Sequence, residues 1–474
     1  MAAIALTASG CTTESDTSSA ASAKPVTWHG DVAKLVASKC SGCHTNGGIA
    51  PFSMDSYEKA KPFANAMANA VERGTMPPFL AQETDACQPR LPWYNDLRLS
   101  RDEKQLLRAW ADAKAPEGSA DRTGKVASKL GTTLEREDLT VEMPREVAVA
   151  GTRDLHTCMI TDPGLTEDAY VVGRMVTAGN AAVLHHLVSY LIAPGKNPDG
   201  SKRTKQQLEA ALKEAKNVGI GDRYDCFGGP GLDKFEFEML DAWAPGGIPN
   251  LAPPDSGQPI DKDSLVLLDI HYHPTGGAEQ IDSGTKLSLM LSTEKPAWIS
   301  KTILIGNFEE HKDYDYGVAD LMQQPGEEEP AFVIPAGAKR HVEEGTWTWK
   351  LPADLTLMVY GAGTHMHYVG RDMRVTLEHA AGASDSECLI ETPRWDFNWQ
   401  RGYGYDAETR EDLPTFRNGD VMRLHCEYDN TLDNPAVAEA LAARGLDAPV
   451  DVHLGEDTLD EMCLVGVGVM YPNQ

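Results

Sequence analysis

The distribution of apolar and polar positions divides the chain near residue 136. Beyond it, short β-branched or aromatic runs alternate with Gly, Pro and Asp turns, which predicts antiparallel β-sandwiches rather than βαβ units. Residues 202–216 form the one clear helical insertion there, and its charged faces predict a surface position. Before residue 136, Ser100 and Glu103 have the spacing of a helix-capping box, and Leu106, Leu107 and Trp110 follow on one face. A helix beginning at Ser100 is therefore expected.

Composition limits the possible classes of protein. The 474 residues are too many for one core and suggest about three units. The fractions of hydrophobic residues, 41%, and charged residues, 24%, are typical of a soluble globular protein, and 42 Gly with 29 Pro favour turn-rich β structure. A formal net charge of -28 repels phosphate backbones, so no nucleic-acid partner is expected.

The N-terminus resembles an export signal. Residues 1–11 run from an apolar stretch through small residues into Cys11, as in bacterial lipoproteins, and a plain secretory signal with an incidental cysteine is the alternative. Both predict an exported protein, either periplasmic or an outer-membrane lipoprotein with a lipid anchor at Cys11. The Ser/Thr/Ala-rich residues 12–24 are expected to form a flexible tether.

Two thiols and a histidine form the strongest local motif. Cys40, Cys43 and His44 have the spacing at which cysteines form thioethers to haem and the histidine binds the iron. A structural zinc site would need a second ligand pair, and the sequence between Cys43 and Cys87 supplies none at comparable spacing. The motif therefore predicts covalent haem c.

The sixth ligand of such a haem is expected from a downstream loop. Met76 lies in a stiff Thr-Met-Pro-Pro turn that suits this task, whereas Met54 and Met67 are competing sulfurs. Met67 lies in an Ala-rich helical stretch and is interpreted as core, and Met54 follows an apolar loop. Residues 25–118 as a whole resemble a small class I cytochrome c, which implies an all-α domain that transfers electrons.

Three tight groups account for six of the 14 histidines. Adjacent histidines in a strand point to opposite faces unless the strand bulges, whereas a His-x-His pair shares one face and can reach one ion. The alternative is that these residues are hydrogen-bonded surface histidines. Metal binding explains three independent groups more simply than this alternative does. The groups are His185-His186, His271-Tyr272-His273 and His365-Met366-His367.

Residues 136–474 resemble the copper type II, ascorbate-dependent monooxygenases, the family of dopamine β-monooxygenase and peptidylglycine α-hydroxylating monooxygenase. The most discriminating match is Met462, whose Glu-Met-Cys context resembles the family's methionine-ligand segment. A thioether is a soft ligand that favours Cu(I). The resemblance implies two copper sites. The three-histidine site is His185, His186 and His271, and the His–Met site is His365, His367 and Met462.

His273 is an alternative to His271, since both share one strand face. The resemblance further implies disulfides between Cys158 and Cys226 and between Cys426 and Cys463. Cys87 and Cys388 are left either free or paired with each other.

The implied activity is hydroxylation of a C–H bond of a small organic substrate with O2. His365, His367 and Met462 would hold the catalytic copper, the other copper would store an electron, and the haem would pass electrons from a donor protein or small reductant. Two positions that grip the carboxylate in the peptide-amidating branch are Gly363 and Gly466 here, which argues against a peptidylglycine substrate. Nearby aromatic residues are interpreted as core. They are Trp395, Phe397 and Trp399.

The complete prediction is a small all-α cytochrome c domain followed by two antiparallel β-sandwich (jelly-roll-like) domains. Two other functions remain open: a non-catalytic haem/copper electron-transfer or copper-handling lipoprotein, and a zinc hydrolase built on the histidine pairs. The predicted units are 1–24 (signal segment and tether), 25–118 (haem domain), 119–135 (linker), 136–294 (first sandwich) and 295–474 (second sandwich).

Overall fold

The structure is a computed structural model. It describes residues 25–46, 50–120, 133–151, 153–226, 230–232, 234–245, 247–307, 316–323, 330–380, 386–455 and 459–474. The predicted signal segment, with Cys11, and most of the predicted linker lie outside these residues. No helix in the described part of the chain has the length and apolar character needed to cross a membrane.

The predicted fold class is wrong. The chain is mostly β-sheet with short helices, and the described N-terminal residues do not form an all-α cytochrome c domain. The helices are α1 (Ala33–Lys39), α2 (Tyr57–Ala60), α3 (Ala64–Arg73), α4 (Arg101–Asp112), α5 (Lys205–Lys216) and α6 (Pro435–Ala443), with single turns at Trp28–Val32, Lys61–Phe63, Phe397–Trp399 and Arg410–Asp412.

A non-helical stretch explains why the N-terminal part is not an independent all-α unit. Between α3 and α4 the chain is extended or turning, and its apolar residues Phe79, Trp93 and Leu97 are buried in the core of the C-terminal β half. The ring of Trp93 stacks on that of Tyr405 with centroids 5.2 Å apart. Prolines in this stretch disfavour a helix, and its apolar side chains gain more by joining the larger core.

Local helix signals were nevertheless correct. α4 begins after Ser100, whose hydroxyl accepts from Glu103 N while the Glu103 carboxylate accepts from Ser100 N. Leu107 and Trp110 of this helix are buried. α5 lies within the predicted insertion, and only its apolar face, Leu208 and Leu212, is buried.

The strands build three main sheets. They are β1 (Leu139–Glu142), β2 (Val147–Val149), β3 (Leu155–Thr161), β4 (Ala169–Thr177), β5 (Leu184–Ile192), β6 (Arg223–Tyr224), β7 (Phe237–Trp243), β8 (Asn250–Leu251), β9 (Ser256–Ile260), β10 (Leu265–Tyr272), β11 (Gln280–Asp282), β12 (Lys286–Ser292), β13 (Trp298–Gly306), β14 (Tyr316–Val318), β15 (Asp320–Leu321), β16 (Val333–Ile334), β17 (Lys339–Thr348), β18 (Leu357–His365), β19 (Gly370–Glu378), β20 (Ser386–Thr392), β21 (Tyr403–Gly404), β22 (Thr415–Phe416), β23 (Val421–Asp429), β24 (Val452–His453) and β25 (Leu464–Pro472).

Sheet A has eleven strands and continues through both halves of the β region in the order β1-β12-β4-β9-β13-β25-β18-β21, with β8, β14 and β22 at its sides. Its halves join where β9 and β13 pair in parallel, with Trp298 opposite Ser256. Sheet B has the order β6-β3-β10-β5-β7, and sheet C has the order β15-β17-β23-β19-β20. Sheet B and sheet C therefore each face one part of a continuous sheet A.

Apolar cores lie between sheet A and each five-stranded sheet. Leu289 of sheet A and Ile270 of sheet B belong to the first core, and Val467 of sheet A and Leu424 of sheet C belong to the second. β23 alternates buried and partly buried residues, as a strand with one buried face does, whereas β10 and β25 are buried along most of their length. The packing brings the histidine groups at the ends of β5, β10 and β18 to one region of the molecule, where β25 begins just after Met462.

Three disulfides stabilise this arrangement. The two that the resemblance implied, Cys158–Cys226 and Cys426–Cys463, both form. Cys87 and Cys388, whose state was open, are also bonded, which ties the N-terminal part to β20. Disulfides are typical of proteins that fold in an oxidising compartment, so the structure supports export from the cytosol.

Candidate metal and haem sites

A β-bulge brings both adjacent histidines to one site. In the pairing of β5 with β10, His271 lies opposite His186 while Tyr272 lies opposite Leu184, so His185 is an extra residue without a partner in the register. An extra residue re-aims the side chains of a strand. From the sequence, His185 and His186 could bind the same ion only if the strand bulges or twists, and the structure has this bulge.

The three-histidine site is a close cluster of Nδ1 atoms. Those of His185 and His186 are 3.1 Å apart, and those of His186 and His271 are 3.3 Å apart. Nitrogens bound tetrahedrally to one ion at about 2.0 Å lie about 3.3 Å from each other. The residues therefore fit a metal ion, and the described residues hold one other group of this kind, at Cys158, Cys226 and Asp269, whose cysteines form a disulfide.

His273 does not join this cluster. It follows β10, its side chain is 52% exposed, and its Nδ1 lies 2.8 Å from Asp154 Oδ1. The same carboxylate holds His271, whose Nε2 lies 3.0 Å from Asp154 Oδ2. Of the two histidines in this motif, only His271 has its second nitrogen directed at His186.

A further histidine, His156, was missed by the sequence reasoning. It lies on β3 opposite His271, and the two rings stack with centroids 4.0 Å apart. Asp154, two residues earlier, was missed as well. Neither residue belongs to a recognisable motif, because each meets the site only through the pairing of β3 with β10.

The His–Met site lies where β18 ends and β25 begins. His365 is the last residue of β18 and pairs with Leu464, two residues after Met462. His367 lies beyond the strand, so this His-x-His pair does not occupy one strand face as the sequence suggested. The backbone N–H of His367 donates to the Glu461 carboxylate, which also accepts from Met462 N. These contacts bring all three predicted ligand residues together.

Hydrogen bonds at Nδ1 of His365 and His367 leave the Nε2 atom of each ring available to bind a metal ion. The Nδ1 of His365 lies 2.7 Å from Gln400 Oε1, and the Nδ1 of His367 lies 3.0 Å from the Asp460 carbonyl oxygen. Because both acceptors require a proton on Nδ1, each Nε2 keeps its lone pair. Two such nitrogens, together with the thioether of the adjacent Met462 segment, would form a donor set that suits copper better than hard cations.

Burial keeps these imidazoles neutral. It lowers the pKa of His185 to about 3 and that of His365 to about 4. The pKa values of His186 and His367 are also lowered, chiefly by burial and then by neighbouring histidines, among which His365 acts on His186. A neutral imidazole is the form that binds metal ions.

One phenyl ring lies between the two sites. The ring of Phe397 stacks on His185 at a centroid distance of 4.6 Å and lies 5.7 Å from His367. It also contacts Tyr368 at 4.3 Å. Phe397 and Trp395 are buried, as the core interpretation expected, but against the predicted ligands, whereas Trp399 is only partly buried and does not fit that interpretation.

The predicted haem-binding residues lie at the end of α1. His44 is buried, and its Nδ1 lies 3.0 Å from the Phe52 carbonyl oxygen, which leaves Nε2 as the free nitrogen. Of the described cysteines, Cys40 and Cys43 are the ones outside a disulfide. Two unpaired thiols beside an imidazole with a free Nε2 fit a covalently attached haem.

The three candidate sulfurs differ in burial. Met54 and Met67 are buried in a separate core that the N-terminal helices form around residues such as Leu35 and Trp110, with 6% and 5% of their surface exposed, whereas Met76 is only partly buried against it. Met67 is therefore core, as expected. Met76 stays the predicted sixth ligand.

A contact connects the Met76 segment with the His–Met site. A Cβ at Gly74 would lie 3.1 Å from Arg394 Nη1, so the backbone there lies directly against that guanidinium. The next residue, Trp395, donates from Nε1 to the His367 carbonyl oxygen at 3.1 Å. Gly74, two residues before Met76, is therefore linked to His367 through Arg394 and Trp395.

Glu461 is expected to hold the His–Met site in place. Burial raises the pKa of its carboxyl to about 8. Glu461→Ala would leave the His367 and Met462 N–H groups without an acceptor and lower the free energy of unfolding by about 2–5 kcal/mol, whereas Glu461→Gln keeps an acceptor and should cost less than about 1 kcal/mol. Urea unfolding of the metal-free protein measures both. Equal losses in the two variants would contradict this role.

Comparisons with known proteins identify no family. No protein-family model matches the chain, and no curated protein matches it either. Among solved structures, the N-terminal CBM22-1–CBM22-2 tandem domain of Paenibacillus barcinonensis Xyn10C is 7% identical over 70% of this chain and 81% of that chain, with a TM-score of 0.14. The T=1 particle derived from infectious bursal virus is 9% identical over 72% and 80%, with a TM-score of 0.13. Similarity this weak carries no argument about function.

Proposed function

We propose that the protein is a copper-dependent monooxygenase that hydroxylates a C–H bond of a small organic substrate with O2. The observation that carries this proposal is the cluster of three Nδ1 atoms, with separations of 3.1 Å and 3.3 Å, which contacts the segments of His367 and Met462 through the ring of Phe397. Two neighbouring sites, one of nitrogen donors and one with a soft sulfur, suit a redox-active metal better than zinc or magnesium.

Copper held by these residues would supply one-electron redox chemistry and the activation of O2. The protein's own contribution is to orient the donors. Gln400 and the Asp460 carbonyl fix the rings of His365 and His367. Phe397 fills space between the sites and keeps bulk water from the histidine rings that it contacts. A dry, fixed donor set avoids reorganisation during the reaction.

Haem held at Cys40, Cys43 and His44, with Met76 as the sixth ligand, would supply single electrons from a donor protein or small reductant. The contact of Gly74 with Arg394 supports this role, because Trp395 follows and bonds directly to His367. A tethered donor acts at high effective concentration without a tight interface. The N-terminal part thus serves as an electron entry segment, although it is not an all-α cytochrome domain.

Two glycines on the strands that lead to the His–Met site, Gly363 and Gly466, limit the possible substrate. Gly363 pairs with Gly466 across β18 and β25, and a Cβ at Gly363 would lie 2.9 Å from the Arg401 carbonyl oxygen. No side chain fits at Gly363 without displacing backbone. The grip on a peptide carboxylate that the amidating branch uses is therefore absent from both positions, and a small organic substrate without that group is favoured.

The proposed location is the periplasm or the outer membrane. The apolar N-terminal stretch before Cys11 supports a lipid anchor at that cysteine, and the three disulfides support an oxidising compartment. An anchored enzyme there would meet exported substrates and respiratory electron donors.

Metal and haem analysis of protein made in a host that attaches haem tests this function. Two copper ions and one haem per chain are expected, together with O2 consumption by the reduced protein and a hydroxylated product. Zinc in place of copper would support a hydrolase and overturn the proposal. Copper and haem without any O2-dependent product from candidate substrates would instead favour an electron-transfer or copper-handling role.

A further inference from the structure

We propose that Asp154 is a positioning residue for the three-histidine site: its carboxylate fixes the ring orientation and tautomer of His271 and keeps His273 outside the ligand set. This inference rests on the proposed copper site. It concerns a residue that lies in no sequence motif and that meets the site only in the folded chain.

The position of Asp154 follows from the register of sheet B. β3 begins at Leu155, which lies opposite Tyr272 of β10. Asp154 immediately precedes this pair, so its side chain reaches the end of β10 from the neighbouring strand. The carboxylate is 10% exposed, and its two oxygens accept from two different imidazoles.

His271 is thereby held from two sides. Its Nε2 donates to Asp154 Oδ2 at 3.0 Å, and its Nδ1 lies 3.3 Å from the Nδ1 of His186. Because the proton is on Nε2, the Nδ1 lone pair is directed at the cluster. The stacked ring of His156, with an interplanar angle of 17°, fixes the plane of the imidazole.

The second carboxylate oxygen holds His273 in a different way. Its Nδ1 is bonded to Asp154 Oδ1, and its ring centroid lies 6.3 Å from that of His185. Asp154 thereby accepts one hydrogen bond from each of the two histidines. The Asp154 carboxylate thus holds His271 as a metal ligand and His273 as an exposed hydrogen-bond partner outside the ligand set.

A carboxylate behind a ligating imidazole raises the basicity of the metal-bound nitrogen. Loss of such a partner typically costs 10- to 100-fold in metal affinity. Asp154→Asn keeps the size of the side chain but removes the charge, so the Cu(II) dissociation constant of the three-histidine site should rise about 10- to 100-fold. Asp154→Glu restores the charge with a longer side chain and should recover part of that affinity.

The experiment titrates metal-free protein with Cu(II) against a competing chelator and records the electron paramagnetic resonance spectrum of each variant. The three-histidine signal should change in Asp154→Asn, while the His–Met signal stays the same. His273→Ala serves as the matched control. The Cu(II) affinity of its three-histidine site should remain within about threefold of the parent, because His273 is not a ligand. Circular dichroism of the metal-free variants confirms that each is folded.

Three outcomes would overturn the inference. Unchanged affinity and spectrum in folded Asp154→Asn would show that the carboxylate does not act on the metal. Equal loss in the Asn and Glu variants would show that only local packing matters. Loss of one copper in His273→Ala would make His273 the ligand. A parent protein that binds copper with the expected Asp154 effect but yields no hydroxylated product leaves this inference standing and refutes the proposed function alone.

Discussion

Met462→Leu should lower O2-dependent product formation at least about a hundredfold. Loss of a hydrogen-bond partner behind a metal ligand already costs about 10- to 100-fold in metal affinity or activity, and loss of the ligand itself should cost more. Leucine is close to methionine in volume, so the buried position stays filled at a cost below about 1.5 kcal/mol. The change removes the sulfur alone. Met462→Ala should show the same loss of turnover with a further loss of stability, about 2–5 kcal/mol.

The surroundings of Met462 make this test clean. Its backbone is fixed by the bond from its N–H to Glu461, by the Tyr428 hydroxyl that donates to its carbonyl oxygen at 3.0 Å, and by the disulfide of Cys463. None of these contacts uses the thioether. The ligands His365 and His367 should therefore stay in place when the sulfur is removed.

Met322→Leu provides the matched control, since Met322 is 37% exposed and lies in the same half of the molecule. Product formation, copper content and thermal unfolding are measured for each variant. Turnover in Met462→Leu equal to that of the control would defeat the assignment of Met462 to the oxygen-activating site, whatever the copper content.

The double replacement Cys40→Ser, Cys43→Ser should abolish covalent haem while leaving two copper ions per chain. The proposed haem attachment uses these two sulfurs, whereas both proposed copper sites draw their donors from residues beyond 180. Turnover with a protein electron donor should be lost, and turnover with a small reductant that reaches copper directly should persist. Haem staining after denaturing electrophoresis and product formation with each reductant measure these effects.

Ser41→Ala is the control within the motif, because its hydroxyl bonds to the Ala37 carbonyl oxygen at 2.9 Å and has no part in haem attachment. It should retain the stain and both activities. Covalent haem in the double variant would place the attachment elsewhere. An equal loss of turnover with both reductants would mean that the two cysteines support the fold of the copper region rather than electron entry.

Local sequence patterns were sufficient for features built from neighbouring residues. The capping box of Ser100 and Glu103 formed because both partners lie within one helical turn. The Cys426–Cys463 disulfide, in contrast, joins residues 37 apart and was implied by the family resemblance rather than by a local pattern. The spacing of the histidine groups indicated which imidazoles to consider, since side-chain direction along a strand alternates.

The prediction of an independent all-α N-terminal domain failed for a physical reason. Motif spacing describes the residues around Cys40 but contains no information about where Phe79 and Trp93 find their apolar partners. Those side chains joined the C-terminal core, beside Tyr403 and Tyr405, because the larger core buries more of their surface.

By itself the sequence determined the types of donor, their spacing and the local helix caps. Only the tertiary structure decided which donors meet: the bulge at His185, the contact of His271 with His186, and the place of Phe397 between the two sites. Asp154 and His271 are 117 residues apart, and strand pairing alone joins them. Contacts across a sheet depend on the register of whole strands, which the burial of their apolar faces sets and which no short motif records.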